Sequence, residues 1–340
     1  MPSLPICTPI INGQAHHSYP LSIILNYEYY FPWFYSNYIN LYWQYDGIPL
    51  DFCYAAKLIS NNPWNTYKGL PILETQVINW DILSKCNVNI IDFIKNCIET
   101  EHYVDLSINE LYCPYSNAYN EYDFLHCIMI YGYDDIAGAF NVLCYNNIPK
   151  LSMEKLTYGQ LTIAFESLIK LSTNKLGSDI HIITKRSSYC YPIDTKLIYK
   201  RVKDYLSGEN YYEQFRQFDQ PPMDYLYGID VYEGIIIYCE NIKSESNKLD
   251  LRIFHTLYEH KFIMAKRSEY LRKQGCLIEE WHIDNEFNNL SKKCLIIRNL
   301  AIKYNITQNI DIINKIINQI NDLKQNDIDA CKGFLYLLKK

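Results

Sequence analysis

A basic surplus is the first thing missing. The 340 residues carry 32 Lys and Arg against 38 Asp and Glu, a formal charge of −6, and the basic residues are scattered rather than clustered. That balance leaves nothing with which to neutralise a phosphate backbone, so nucleic acid is excluded as the expected partner. Also missing is an opening of basic residues followed by an apolar run, and no stretch approaches the ~18 uninterrupted apolar residues of a membrane span. The expectation is a cytoplasmic protein with no membrane partner. Cysteines are present, 12 of them, but they lack a regular framework and read as reduced thiols acting as small core hydrophobes. No internal repeat is detectable.

What is there is a large apolar content. At 49% hydrophobic residues the chain fills one large domain or two ordinary ones. Its 33 tyrosines accompany an excess of Ile, Asn and Lys, which an AT-rich coding sequence produces by itself. The tyrosines alone therefore mark no ring-binding site.

Along the chain, Pro2, Pro5, Pro9 and Gly13 make a loop, after which Leu21, Ile24 and Leu25 take helical spacing. Ser18 as N-cap and Pro20 in the first turn predict a helix beginning at Ser18. The aromatic stretch "YYFPWFYSNYINLYW" reads as a wall of the core or of a cleft. "CNVNIIDFIKNCIET" reads as an amphipathic helix, because Ile90, Ile91, Ile94 and Ile98 recur at helical intervals. "HYVDLSINELY" alternates as a strand does, and "HCIMIYGYDDIAGAFNVLCYNN" is two β-rich runs around a turn with two aspartates and a glycine, hence a hairpin.

From about residue 153 the pattern turns helical, in "MEKLTYGQLTIAFESLIKL", "DTKLIYKRVKDYL", "LRIFHTLYEHKFIMAKRSEYLRKQG" and "IDIINKIINQINDL", the last with Ile310, Ile313, Ile317 and Ile320 on one face. A short β-like piece falls at "CYPI" or "GIIIYCE", and "IKSESNK" reads as an exposed loop. The expected fold class is α+β, with residues 1–165 as a catalytic domain and 166–340 as a mostly helical domain or elaboration.

Acyl transfer through a hydroxyl or thiol needs a nucleophile, a base within hydrogen-bond reach and a third group that fixes the base's tautomer. A side chain at a helix N-terminus feels the positive end of the macrodipole and lies beside backbone N–H groups that can hold an oxyanion. Ser18 is placed there as candidate nucleophile. His126 heads the first hairpin strand, with Ile128 and Ile130 on its face. A turn centred on Ile136 pairs residues whose numbers sum to about 272, which sets Asn146 opposite His126 and Cys144 one step along. Asn146 or Cys144 is then the group that orients the imidazole. Asn12 or Gln14, with the Ser18 backbone N–H, is the candidate oxyanion donor.

Other histidines carry less. His16 and His17 are adjacent and point different ways, so joint metal ligation is disfavoured. Arg252, His255 and Glu259 share a helix face and read as a surface or inter-helix polar network. "CLIEEWH" sets an acidic pair beside His282 without a second histidine at ligand spacing.

"HHSYPLSIIL" followed, more than a hundred residues later, by "FLHCIMIYGYDD" resembles the papain-like cysteine fold, and more narrowly the N-terminal domain of butirosin biosynthesis protein H. The resemblance covers roughly residues 10 to 165. It implies a nucleophile-bearing helix packed on an antiparallel sheet. It also implies an activity in bacterial natural-product biosynthesis, the ATP-independent transfer of an acyl group from a carrier-protein thioester to an amine. The implied partners are an acyl or peptidyl carrier protein and an amine co-substrate. No cofactor is bound, the carrier's phosphopantetheine arm serving as the substrate's carrier. Lid, homodimer interface and carrier dock are the roles open to the helical half.

Two positions depart from the family pattern. A cysteine is expected where Ser18 stands, and an aspartate near Cys144, where this chain offers Cys144 and Asn146. A serine is the poorer nucleophile and needs full general-base help from His126. The alternatives are therefore an inactive papain-like scaffold or binding protein, and a hydrolase in which water replaces the amine.

Overall fold

The computed structural model describes residues 2–45, 49–53, 67, 70–148, 150–171, 179–186, 189–217, 224–245, 247–278 and 282–339. The class is α+β, with antiparallel sheets and a helical C-terminal half. The chain divides into two compact units that interleave in sequence: Met1–Tyr30 with Ile59–Cys190, and Phe31–Leu58 with Tyr191–Lys340. This differs from a single cut at residue 165, because one strand after that point joins the first unit's sheet and the early aromatic stretch from Phe31 onward belongs to the second unit. No described helix is long and apolar enough to cross a membrane.

The first unit holds α1 (Ala15–Ile24), β3 (Leu73–Asn79), α3 (Trp80–Lys85), α4 (Ile90–Glu99), β4 (Tyr103–Asn109), β5 (Leu125–Asp134), β6 (Ala139–Tyr145), β7 (Leu151–Thr157), α5 (Tyr158–Leu171) and β8 (Asp179–Lys185). Its six strands lie antiparallel in the order β3-β8-β4-β5-β6-β7. Alternation selects the faces. Val104, Leu106, Ile108, Ile128, Ile130, Val142 and Cys144 point to one side and form a core with Ile94 and Ile98 of α4 and Leu161 and Phe165 of α5. Asn89 caps α4 by accepting from the Ile91 and Asp92 N–H groups.

The hairpin forms where the sequence indicates, and its register sums to 272 at Met129–Leu143 and Ile130–Val142. Beyond Ile130 the register shifts by one at a bulge. Gly132 sits there because the N-terminal segment presses against it: a Cβ would meet the Pro2 carbonyl at 2.8 Å. Leu4 donates to the Tyr131 carbonyl at 2.7 Å, and Tyr133 to that of Pro2 at 3.1 Å.

"MEKLT" is strand rather than helix, since β7 pairs along β6. The helix begins after it, where Thr157 and Gln160 bond each other's N–H groups reciprocally. "DIHIITK", within the part expected to be helical, is β8.

The second unit holds α2 (Phe31–Asn37), β1 (Leu41–Trp43), β2 (Leu50–Phe52), α6 (Thr195–Ser207), β9 (Leu226–Tyr227), α7 (Val231–Glu245), α8 (Leu251–Lys273), α9 (Ile283–Thr307) and α10 (Ile310–Leu337). β1 lies between β2 and β9 in a small antiparallel sheet. "GIIIYCE" is helical within α7, because Val231, Ile235, Cys239 and Ile242 bury one face at helical spacing. "CYPI" lies outside regular structure, and α7 runs into the expected loop "IKSESNK" as far as Glu245. Asp194, Asp250 and Asn309 cap α6, α8 and α10 through their side chains.

Three charged side chains of this unit, Arg267, Lys261 and Asp327, are at 0% exposure. Arg267 of α8 donates to the Tyr35 carbonyl at 2.7 Å and to that of Tyr38, satisfying acceptors at the end of α2. Lys261, at 0% side-chain exposure, pairs with equally buried Asp327 of α10. It also donates to the Tyr205 hydroxyl and His260 Nδ1, each at 3.0 Å. Asp327 accepts in addition from Tyr205 at 2.6 Å and Tyr232 at 3.1 Å. Burial holds His260 well below the usual histidine range, and its Nε2 donates to the Ile39 carbonyl at 2.6 Å. One carboxylate thus ties α6, α7, α8 and α10 together.

Candidate functional site

Ser18 does not cap its helix. α1 starts at Ala15 with Gln14 at the N-cap, and no side chain bonds the cap. Ser18 stands at the fourth helical position and Pro20 lies inside the helix. An interior proline costs about 3 kcal/mol, and continuous burial offsets it: every residue from His17 to Ile24 is buried. Packing, rather than capping, sets where this helix begins.

That shift of three residues changes what position 18 can do. Its N–H donates to the Gln14 carbonyl at 2.9 Å, so the expected oxyanion role of the Ser18 N–H is not what the helix provides. Its hydroxyl lies 3.2 Å from the Tyr145 hydroxyl and 3.4 Å from the Ala15 carbonyl. Tyr145 in turn donates to the Asn12 carbonyl at 2.8 Å. The Asn12 amide donates to the Pro9 carbonyl at 3.3 Å. Gln14 is buried at the helix start.

His126 is the better prepared group. Pairing of β4 with β5 sets Ile108 opposite His126, which brings Glu110, two residues beyond Ile108, beside the ring. Glu110 Oε1 lies 3.0 Å from His126 Nδ1, and Ser116 donates to the other oxygen at 2.6 Å. Glu110 is buried, whereas the His126 side chain is 22% exposed. Donation from Nδ1 to a carboxylate leaves Nε2 with the lone pair in the neutral ring, the arrangement a general base needs. Phe124 stacks on the imidazole at 5.5 Å between centroids, and Tyr145 meets it edge-on at 6.1 Å. Tyr145 therefore links His126 with Ser18.

The expected imidazole holders lie elsewhere. The Asn146 side chain accepts from the Ile148 N–H at 3.1 Å in the β6–β7 turn, so it is a turn-former. Cys144 is in the core face of β6, and burial pushes its thiol up. Glu110 does the work assigned to them. Sequence reasoning missed it because it arrives from the strand before His126 rather than the strand after. The signal available was "NELY" at the end of an alternating run.

The opposite face of the sheet carries a second polar group. Tyr67 donates to Asp105 at 2.5 Å, and His181 faces Asp105 across the β4–β8 pair. Burial, opposed by the Tyr67 hydrogen bond and the charge of His126, pushes the Asp105 carboxyl up to about 7. Tyr19 of α1 reaches this face and donates to the Cys127 carbonyl at 2.9 Å.

In the second unit, His255 bonds Glu259 at 3.2 Å, and Arg298 of α9 lies 2.8 Å from His255 Nδ1, an inter-helix network; Arg252 pairs instead with Asp250. The acidic pair Glu279 and Glu280 beside His282 lies outside the described residues. No family model matches the chain, and no curated protein matches it.

Proposed function

We propose that this chain is a papain-like acyltransferase that takes an acyl group from a carrier-protein thioester and delivers it to an amine in natural-product biosynthesis. The observation that supports the reading is His126, partly exposed and held on Nδ1 by buried Glu110, with Tyr145 touching both its ring and Ser18. In this scheme the residue-18 side chain attacks the thioester carbonyl and His126 Nε2 takes its proton. The carrier thiol leaves with that proton, and the amine displaces residue 18 from the acyl-enzyme. Glu110 fixes the tautomer of His126, a role the hairpin register had suggested for Asn146 or Cys144.

A second reading is favoured by the two bonds of the Ser18 hydroxyl and the committed Ser18 N–H. There the fold binds its ligand and residue 18 does not react. Intact-protein mass spectrometry separates the two. The chain and its Ser18→Cys variant are incubated with carrier protein bearing an aromatic acyl thioester. Gain of one acyl group by the cysteine form, discharged by an added amine, supports acyl transfer. No adduct on either form, with several carriers and acyl groups, overturns it in favour of binding.

A further inference from the structure

Between Glu110 and His126 the chain carries three carboxylates, five aromatic rings besides the histidine, and no Lys or Arg. Three of those rings face solvent: Tyr122 is 55% exposed, Phe124 44% and Tyr119 39%, with Leu125 exposed beside them. Tyr122 meets Phe124 edge-on at 6.4 Å, and Phe124 stacks on His126. The rings form a track from solvent to the imidazole.

This segment is held in place. Asn109, fully buried, donates to Asp123 at 2.7 Å and accepts from the Phe124 N–H at 3.1 Å and the Leu111 N–H at 3.2 Å. The Glu110 N–H donates to the Phe124 carbonyl at 2.8 Å. Ser116 accepts from the Ala118 N–H at 3.1 Å while donating to Glu110. Large apolar side chains exposed together mark an interaction site, and on a tied segment they lose little freedom when a ligand arrives.

We propose that the Tyr122–Phe124 face beside His126 binds an organic cation of the alkylammonium or quaternary ammonium class. Ring faces present negative quadrupole density to a cation. Glu110, Glu121 and Asp123 make the surroundings anionic, and the charge of buried Glu110 is weakly screened. A phosphate or carboxylate ligand would meet those carboxylates with no Lys or Arg from the segment to receive it. The inference goes beyond the acyl-transfer reading and does not depend on it.

The test is isothermal titration with choline and with 3,3-dimethylbutan-1-ol, its uncharged isostere, on the full chain and on Tyr122→Leu and Phe124→Leu. Leucine keeps the apolar bulk and the backbone bonds while removing the quadrupole; circular dichroism checks the fold. Choline is expected to bind saturably, the isostere not, and each leucine variant to weaken choline by about two- to fivefold. Equal binding of the isostere, unchanged affinity in both variants, or no saturable binding of choline overturns the proposal. Because no acyl donor is present, these outcomes are independent of whether residue 18 can be acylated.

Discussion

Replacing Asp327 by alanine should unfold the helical unit's stability more than any surface change. Asp327→Ala leaves the Lys261 ammonium, at 0% exposure, without its counter-charge. Tyr205 and Tyr232 lose their shared acceptor at the same time. Breaking a buried ion pair from one side costs about 3–5 kcal/mol. Each stranded hydroxyl adds about 1–3 kcal/mol when taken alone, but members of one network do not add. A loss of at least about 3 kcal/mol is therefore expected, a large share of the roughly 5–15 kcal/mol available to a domain. Urea unfolding followed by far-ultraviolet circular dichroism measures it. Lys261→Met with Asp327→Leu removes both charges and keeps bulk, and should be clearly more stable than Asp327→Ala. The reasoning fails if Asp327→Ala loses less than about 1 kcal/mol, or if the double variant is the less stable of the two.

Two further outcomes follow from the first unit. Asp105 titrates near 7 when folded and near 3.9 when unfolded, so the folded state binds the extra proton between those values. Its stability contribution is full below about pH 4 and is lost as pH rises through 7, by up to about 4 kcal/mol. The stability difference between the parent chain and Asp105→Asn, measured by denaturation across pH 4 to 8, should move in favour of the variant by that order; a flat difference refutes the assignment. Glu110→Gln should release the His126 tautomer, seen as a change in the ring ¹⁵N shifts, whereas Asn146→Ala should leave those shifts in place. The opposite pattern would return the orienting role to β6.

The hairpin was legible because alternation and a turn with Asp134 and Gly138 specify pairing locally, and its register at Met129 and Leu143 follows from counting. The start of α5 was written in "TYGQ", a capping box hidden by the apolar run behind it. α1 was misplaced because Ser18 has the chemistry of a cap, while burial of eight consecutive residues decides where the helix lies. Glu110 was illegible for a different reason. It meets His126 only through the β4–β5 register, and a contact between strands that are not joined by a short turn leaves no local mark. β8 was lost among helices since seven residues between two helical stretches carry little weight against them.

The interleaving of the two units has a consequence for synthesis. β1 and β2 leave the ribosome early, yet their third strand and the described helices of their unit other than α2 lie beyond residue 190. Leu41, Trp43, Leu50 and Phe52, all buried in the finished protein, must wait unsheltered while about 140 residues are added, at least 7 s at the usual pace of elongation. A nascent chain of this design carries an aromatic hairpin in need of a holding chaperone, and a fragment ending near residue 190 keeps that need for good.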